Sequence, residues 1–258
     1  MNQQIVTEIN NRIGYITLNK PEKRNALNAE MVSDLKAALQ AMAENDEAKV
    51  IVLRAEGKVF CSGADLGYLQ SLQDFTYEEN LEDSRNLKDL FHLIYTLPKV
   101  VIAEIQGHAL AGGCGLATVC DFSYSVPEAK FGYTEVRIGF VPAIVKVFLL
   151  RKIGEGKAKE LLLEAELLDA ETAKAYGLIN RVVEAKRLSV EVYEFAQKLI
   201  YQNSGQSMGM AKTMIAQVQQ MGLEEGLEYA AEMNAKARGM EDCQKGISAF
   251  LNKEKITW

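Results

Sequence analysis

Two loops of small residues in this sequence could leave backbone N–H groups open to a ligand. Residues 62–64 (SGA) follow the apolar run at 50–53, and Gly112 and Gly113 open a short apolar segment that ends near Cys120. Small side chains let a substrate carbonyl approach the main chain, and a helix N-terminus adds free N–H groups at the positive end of the helix dipole. Both loops could therefore stabilise a developing oxyanion, although each pattern alone also describes a plain turn or closely packed helices.

A third loop carries positive charge. Residues 18–28 (LNKPEKRNALN) contain Lys20, Lys23 and Arg24, which could meet an anionic ligand or form a solvated turn around the proline. The glycines at 112–115 are not followed by Gly-Lys-Ser/Thr, and their spacing does not match the dinucleotide-binding fingerprint. The chemistry that these loops favour is main-chain stabilisation of a polarised carbonyl.

The composition argues against several other kinds of site. The 258 residues carry 29 basic and 35 acidic side chains, and an acidic chain without a long basic run is a poor candidate for binding nucleic acid or an anionic membrane. Four cysteines without a CxxC pair and only two histidines predict reduced thiols and no metal site. We find neither the roughly 18 uncharged apolar residues of a membrane span nor a signal-peptide pattern, and therefore expect a cytoplasmic protein.

Alternating strand and helix patterns predict the elements that position the loops. Buried strands are predicted by the apolar runs at 13–18, 50–53, 100–105 and 122–125. An amphipathic helix is predicted at 28–44, with Asn28 as its N-cap, and a second helix at 81–97. This order predicts an α/β fold with largely parallel strands, in which each of the three loops follows a strand.

The strand signal nearly vanishes after about residue 145. Helices are predicted at 156–163, 169–176, 188–201, 207–220, 223–240 and 241–251. We therefore divide the chain into a core, residues 1–195, that carries the loops, and a C-terminal helical region, residues 196–258. We expect that region to pack on the core or on a neighbouring subunit.

Four segments in order resemble the enoyl-CoA hydratase/isomerase (crotonase) family. They are LNKPEKRNAL, FCSGADL, QGHALAGGCGLA and FGYTEVRIGFVP, and the resemblance runs over nearly the whole chain. It implies the crotonase fold, a ClpP-like α/β spiral of ββα units with a C-terminal helical trimerisation region. It also implies an acyl-CoA thioester as substrate, no separate cofactor because CoA is part of that substrate, and a homotrimer or a dimer of trimers.

The resemblance assigns roles to individual residues. The backbone N–H groups of Ala64 and Gly112 match the family's oxyanion hole, and Glu135 in FGYTE matches one of the two glutamates of its hydratases. The acyl-CoA is expected to lie against Lys23, Arg24, Ala26, Gly63, Leu66, Leu110, Tyr133, Pro142, Ala143, Phe250 and Lys253.

The other hydratase glutamate is replaced by Gly115, which leaves the reaction type open. One glutamate suffices to move a proton between two carbons, as an enoyl-CoA isomerase requires, and it could also perform a syn hydration. The segment FVPAIV, where common hydratases have IPGAGGTQ, resembles a methylglutaconyl-CoA hydratase-like branch that acts on branched or carboxylated substrates. Hydration of such a 2-enoyl-CoA is therefore our first interpretation. Isomerisation is the second, and a non-catalytic acyl-CoA or RNA binder is the third.

Overall fold

A six-stranded sheet forms the centre of the computed structural model, which describes residues 3–258. Its members, in spatial order, are β1 (Ile5–Asn10), β2 (Ile13–Leu18), β3 (Val50–Ala55), β5 (Val100–Ile105), β7 (Phe122–Ser125) and β10 (Arg181–Val182). The first two strands form an antiparallel hairpin, and all other neighbours are parallel. Every residue of β2 and β5 is buried, which explains why both read as continuous apolar runs.

A smaller sheet runs beside the first and carries the site loops. It consists of β4 (Val59–Cys61), β6 (His108–Leu110), β8 (Lys130–Gly132) and β9 (Leu168–Asp169), parallel except for the last pair. Along the chain, β3 is followed by β4, β5 by β6 and β7 by β8, so the chain alternates between the two sheets. This alternation, with helices after the pairs, confirms the α/β spiral that the resemblance implies.

Helices of the first half cover the sheets and begin at defined caps. They are α1 (Ala29–Glu44), α2 (Leu66–Ser71), α3 (Tyr77–Thr96) and α4 (Gly112–Val119). The Asn28 side chain accepts a hydrogen bond from the Met31 N–H at 2.8 Å, which confirms the predicted N-cap. Helix α4 is almost entirely buried, because it lies between the sheets and the helices that follow.

Six further helices form the second half of the described chain. They are α5 (Val145–Lys159), α6 (Ala170–Ala175), α7 (Leu188–Gln202), α8 (Gly205–Val218), α9 (Leu223–Arg238) and α10 (Glu241–Leu251). Helix α7 packs on the large sheet, where Phe195 meets Phe122 edge-to-face with ring centroids 4.9 Å apart. It spans position 195, so the division of the chain at that residue falls within a continuous helix.

The last two helices expose apolar side chains. Helix α9 contains no buried residue, and Leu227 is 57% exposed on it. On α10, Phe250 is 82% exposed. None of the helices among residues 3–258 combines the length and apolarity that crossing a membrane requires.

Candidate active site

The loops predicted to carry chemistry meet through the main chain. Leu27 and Ala64 form a parallel bridge, in which the Leu27 N–H donates to Gly63 O at 2.7 Å and the Asp65 N–H donates to Leu27 O at 2.8 Å. The bridge joins the cationic loop to the SGA loop, although 37 positions separate them. It fixes the path of the chain on both sides of the Ala64 amide.

Asn25 is a positioning residue that the sequence analysis missed. Its side chain is fully buried, and its Nδ2 donates to the carbonyl oxygens of Glu56 and Val59, each at 2.8 Å. Its Oδ1 accepts from the Lys20 N–H at 2.9 Å. The sequence signal that could have identified it is an asparagine in a loop between two apolar segments, because asparagine can satisfy backbone hydrogen-bonding groups and tolerates positive φ. The φ of Asn25 is 52°.

The SGA loop lies directly against the start of α4. A Cβ built on Gly63 would lie 2.7 Å from the Cβ of Ala111 and 3.6 Å from the Gly112 nitrogen, and Gly63 has a φ of +92°. Only glycine can hold this conformation at this distance without strain. The Ala64 and Gly112 amides are thereby brought to neighbouring positions, as the sequence analysis expects of an oxyanion hole.

Ala111 turns the chain into α4 through an unfavourable conformation. Its φ of 48° and ψ of −122° lie outside the regions that alanine favours. Its N–H donates to Gly132 O at 2.8 Å, which anchors the turn to β8. Backbone strain of this kind concentrates at functional sites, where the surrounding structure holds it in place.

Two N–H groups remain available at this junction. Within residues 3–258, neither the Ala64 N–H nor the Gly112 N–H donates to a protein acceptor. Ala64 is exposed and Gly112 is half-buried, so a ligand can reach both. Two such donors in a fixed arrangement can stabilise negative charge on a carbonyl oxygen.

Glu135 supplies the carboxyl group of the site. It follows β8 and begins a short 3₁₀ helix, Glu135–Ile138, in which its backbone oxygen accepts from the Phe140 N–H at 3.0 Å. Its Oε2 is buried and has no hydrogen-bond partner among the described residues. Burial raises the pKa of this carboxyl group above the ordinary value for glutamate. A carboxyl group with one buried, unpartnered oxygen and a raised pKa is suited to exchanging protons with a substrate.

No second carboxyl group can stand at position 115 in this packing. A Cβ on Gly115 would lie 2.5 Å from Val145 Cγ1 and 3.1 Å from Phe91 Cζ. The neighbouring Cys114 cannot replace a glutamate, because burial raises the pKa of its thiol to about 12. Within residues 3–258 we also find no group of three or more side chains that could hold a metal ion.

Tyr133 lies in the core rather than on the surface of the site, which corrects its assignment as a substrate contact. It is fully buried, and its hydroxyl shares a 2.9 Å hydrogen bond with Thr118 Oγ1. Thr118 lies in α4, so this bond holds β8 against the helix that begins at Gly112. Tyr133 therefore supports the site without reaching it.

The other residues expected to contact substrate occupy varied positions. Leu66 is 83% exposed at the start of α2, Leu110 is half-buried, and Ala26 and Pro142 are buried. Exposed positions are held by Lys23, Arg24 and Ala143, and also by Phe250 and Lys253 at the end of the C-terminal helical region. Lys23 Nζ lies 4.0 Å from Asp65 Oδ2, beside the Leu27–Ala64 bridge.

Three other polar or ionisable residues near the site loops, Asp121, His108 and Cys61, have structural roles. Asp121 accepts a 2.7 Å hydrogen bond from the Val101 N–H and forms a 2.7 Å ion pair with Lys212 of α8. The Nδ1 of His108 accepts from the Lys130 N–H at 3.1 Å. Cys61 is fully buried, and burial raises the pKa of its thiol to about 12, so it is not a nucleophile.

Comparisons with known proteins show the family of this chain. Residues 8–258 match the enoyl-CoA hydratase/isomerase family, and the chain belongs to that family. It is 41% identical over 241 residues to a Thermus thermophilus protein named as a candidate enoyl-CoA hydratase, which covers 93% of this chain and 95% of that protein. It is 32% identical over 262 residues to a crotonyl-CoA hydratase of Syntrophomonas wolfei, covering 99% and 98% of the two chains. A solved enoyl-CoA hydratase structure from Mycobacterium smegmatis superposes with a TM-score of 0.93 at 29% identity, covering 100% and 99% of the chains.

Proposed function

We propose that this protein hydrates a 2-enoyl-CoA thioester, with Glu135 as its only catalytic carboxyl group. The observation that carries the proposal is the buried, unpartnered Oε2 of Glu135 in a fold whose Ala64 and Gly112 N–H groups are also unpaired. A proton-transfer group and two oxyanion donors are the parts that addition of water next to a thioester requires. The hydratases among the relatives support the same reaction.

Each step of the reaction has a group to perform it. Ionised Glu135 removes a proton from water, and the hydroxide forms a bond to C3 of the enoyl group. The electron pair of the double bond moves to the thioester oxygen, where the Ala64 and Gly112 N–H groups stabilise the enolate. Glu135, now protonated, returns the proton to C2 and is ionised again. The sequence consumes one water molecule and leaves the protein unchanged, so no cofactor is needed.

The proposed acyl group is branched or carboxylated, as in 3-methylglutaconyl-CoA. This finer proposal rests on the resemblance of Gly115 and the segment FVPAIV to the methylglutaconyl-CoA hydratase-like branch. A substrate carboxylate would need a cation, and two basic side chains, Arg137 and Lys146, lie near this segment in the sequence. Arg137 forms a 2.7 Å ion pair with Glu166. Lys146, which is exposed one residue after Val145, is the better candidate.

The remaining features of the enzyme are proposed from the family and the surface. The CoA moiety is expected beside Lys23, Arg24 and Ala26, in the loop that bridges to Ala64. A trimer, or a dimer of trimers, would cover the apolar side chains that α9 and α10 expose, and would bring Phe250 and Lys253 to a neighbouring subunit. We propose a cytoplasmic location because no targeting pattern was found in the sequence.

Enoyl-CoA isomerisation is the second candidate, and the closed position 115 favours it. A single carboxyl group that moves a proton from C2 to C4 needs no group to orient water. A non-catalytic acyl-CoA binder, the third interpretation, leaves the unpaired Glu135 carboxyl without a role. RNA binding is disfavoured by the net charge of −6.

A substrate panel separates these functions. Purified protein would be incubated with crotonyl-, 3-methylglutaconyl-, 3-methylcrotonyl- and 3-hexenoyl-CoA, and the products followed by mass spectrometry. Gain of one water on the glutaconyl ester, with little on crotonyl-CoA, supports the proposal. Preferred hydration of crotonyl-CoA contradicts the branched substrate but keeps the hydratase. Conversion of 3-hexenoyl-CoA to its conjugated isomer without a change of mass establishes the isomerase.

Two variants test whether the chemistry belongs to Glu135. Glu135→Gln should abolish turnover, whereas Glu184→Gln, at a carboxylate with 71% exposure, should retain it. Full turnover in Glu135→Gln would contradict both catalytic functions.

A further inference from the structure

A cavity lies at the edge of the large sheet that is opposite the candidate active site. Its volume is about 380 Å³, and three of its lining residues, Arg12, Lys49 and Lys99, directly precede β2, β3 and β5. These strands are parallel, so their first residues share one edge of the sheet, whereas the site loops follow the other ends. The cavity is therefore separate from the proposed acyl-CoA site.

Positive charge dominates this cavity. It is lined by four cationic side chains, Arg12, Lys49, Lys99 and Lys245, and by two acidic ones, Asp46 and Asp242. The net charge of its lining is thus positive in a chain whose overall charge is −6. We call it the basic cavity.

Three cations of the basic cavity are bonded to main-chain oxygens. Lys49 Nζ donates to Ile200 O at 2.6 Å, and Arg12 Nη1 donates to the main-chain oxygen of Trp258 at 2.8 Å. Lys99 Nζ donates to two carbonyl oxygens at the end of α1. Throughout residues 3–258, none of the four cations forms an ion pair with a side-chain carboxylate.

The two acids of the cavity do not neutralise it. Asp242 accepts a 2.5 Å hydrogen bond from Ser204 Oγ, the N-cap of α8. Burial, with a smaller contribution from Arg12 and Lys245, lowers the pKa of Lys49 to about 8, while Asp242 acts in the opposite direction. Burial likewise lowers the pKa of Lys99, against the influence of Asp46. Lys49 is a buried cation whose pKa is lowered by neighbouring cations, so its surroundings are short of negative charge.

We propose that the basic cavity binds a small polyanion of the phosphate class. Its several cations suit a ligand that carries more than one negative charge, because phosphate oxygens accept bonds from both Arg and Lys. The ligand would contact Arg12 of the β1–β2 hairpin, Lys49 before β3 and Lys245 of α10. It would thereby tie the C-terminal helical region to the core.

Calorimetric titration with inorganic pyrophosphate tests this proposal. It is carried out at constant ionic strength and without CoA, because the phosphates of CoA could themselves occupy the basic cavity. Binding at the acyl-CoA site is distinguished by a double variant of Arg12 and Lys245. We expect one binding site per chain and a rise in Tm of about 3 °C at roughly ten times the Kd, because a ligand that binds only the folded state stabilises it.

Exposed cations provide variants that should not disturb folding. The double variant Arg12→Gln/Lys245→Gln should weaken pyrophosphate binding by at least about tenfold, the effect of losing two charge-assisted contacts. Lys186→Gln removes a cation that is 81% exposed and does not line the cavity, and it should bind as the unmodified protein does. No binding by the unmodified protein, or equal affinity in the double variant, would overturn the proposal.

A titration with sulfate across pH adds an independent readout. The charge of sulfate stays the same over this pH range, so any change in its affinity reports on the protein. Lys49 is the cation of the cavity with a pKa of about 8. Its charged neighbours in the cavity are Arg12, Asp46, Lys99, Asp242 and Lys245. Binding should tighten as pH falls through that value, and an affinity that does not change with pH would count against Lys49 as a ligand.

Discussion

Val145 occupies the space that a side chain on Gly115 would need. A Cβ at position 115 would lie 2.5 Å from Val145 Cγ1, at the first residue of α5, and Phe91 of α3 closes the other side at 3.1 Å. The missing glutamate is thus accompanied by packing that fills its place. The absence of a side chain at position 115 is thus matched by the packing of two other helices around it.

Gly115→Ala should therefore destabilise the fold by about 1–3 kcal/mol, the usual penalty for overpacking a buried position. Adding Val145→Ala should recover much of that loss, which a double-mutant cycle of urea unfolding measures. Gly156→Ala is the matched control, since it adds a methyl group in helix α5 with nothing within 4 Å. If Gly115→Ala were as stable as that control, Val145 would not fill the position.

Glu135→Gln should lower kcat by about 10²- to 10⁴-fold, the usual contribution of general acid–base catalysis. It should also stabilise the fold near about pH 7, because the raised pKa of Glu135 means that ionisation of this buried group opposes folding as pH rises. The gain should vanish near about pH 4, where the carboxyl group is protonated in both folded and unfolded chains. Thermal unfolding at several pH values measures it, and a destabilised variant at neutral pH would mean that the carboxylate is paired.

The pH dependence of turnover in the unmodified protein should show the same group. Activity requires ionised Glu135, and burial raises its pKa, so the acid limb of kcat/KM should lie above the ordinary range for glutamate. A profile whose acid limb stays at the ordinary value would place the essential base elsewhere.

Gly63→Ala should damage catalysis more than it damages the fold. Its methyl group would meet the Cβ of Ala111 at 2.7 Å and displace the neighbouring Ala64 amide. Loss of one oxyanion donor lowers kcat by about 10²- to 10³-fold. Gly177→Ala is the control, because Gly177 also has positive φ, 78°, but has no atom within 4 Å and follows α6. Equal activity in the two variants would show that the SGA loop does not position a donor.

Lys212→Met should destabilise the protein by about 3–5 kcal/mol, since it leaves the largely buried Asp121 without its ion-pair partner. Adding Asp121→Asn should restore part of that stability. Lys159→Met breaks an ion pair with Glu155 in which both side chains are more than half exposed, and it should cost less than about 1 kcal/mol. Similar losses in the two single variants, measured by urea unfolding, would mean that burial does not strengthen the Asp121 pair.

The sequence predicted those features whose signal lies in a short stretch of chain. The runs at 13–18, 100–105 and 122–125 are strands with those bounds, because fully buried strands read as continuous apolar segments. Helix α10 likewise has the predicted bounds. The strands of the smaller sheet were not predicted, because segments of two or three residues are too short to show a period.

Features that depend on distant parts of the chain could not be predicted. Tyr133 looked like a substrate contact because it stands two residues before Glu135, yet its position is decided by Thr118 on α4. The packing around Gly115 depends on Val145, thirty positions further along the chain. The basic cavity draws on residues from Arg12 to Trp258, none of which forms a recognisable motif with the others.

In the proposed mechanism the oxyanion donors are main-chain groups, whereas the group that transfers the proton is a side chain, so the two can change independently in evolution. Any residue except proline supplies an N–H at position 64, so substitutions there can reshape the pocket while the donor persists. The proton-transfer group, in contrast, resides in the single side chain of Glu135. Stabilisation of the enolate therefore depends on the path of the backbone. The reaction that the enolate then undergoes can change with a few side chains around one carboxyl group.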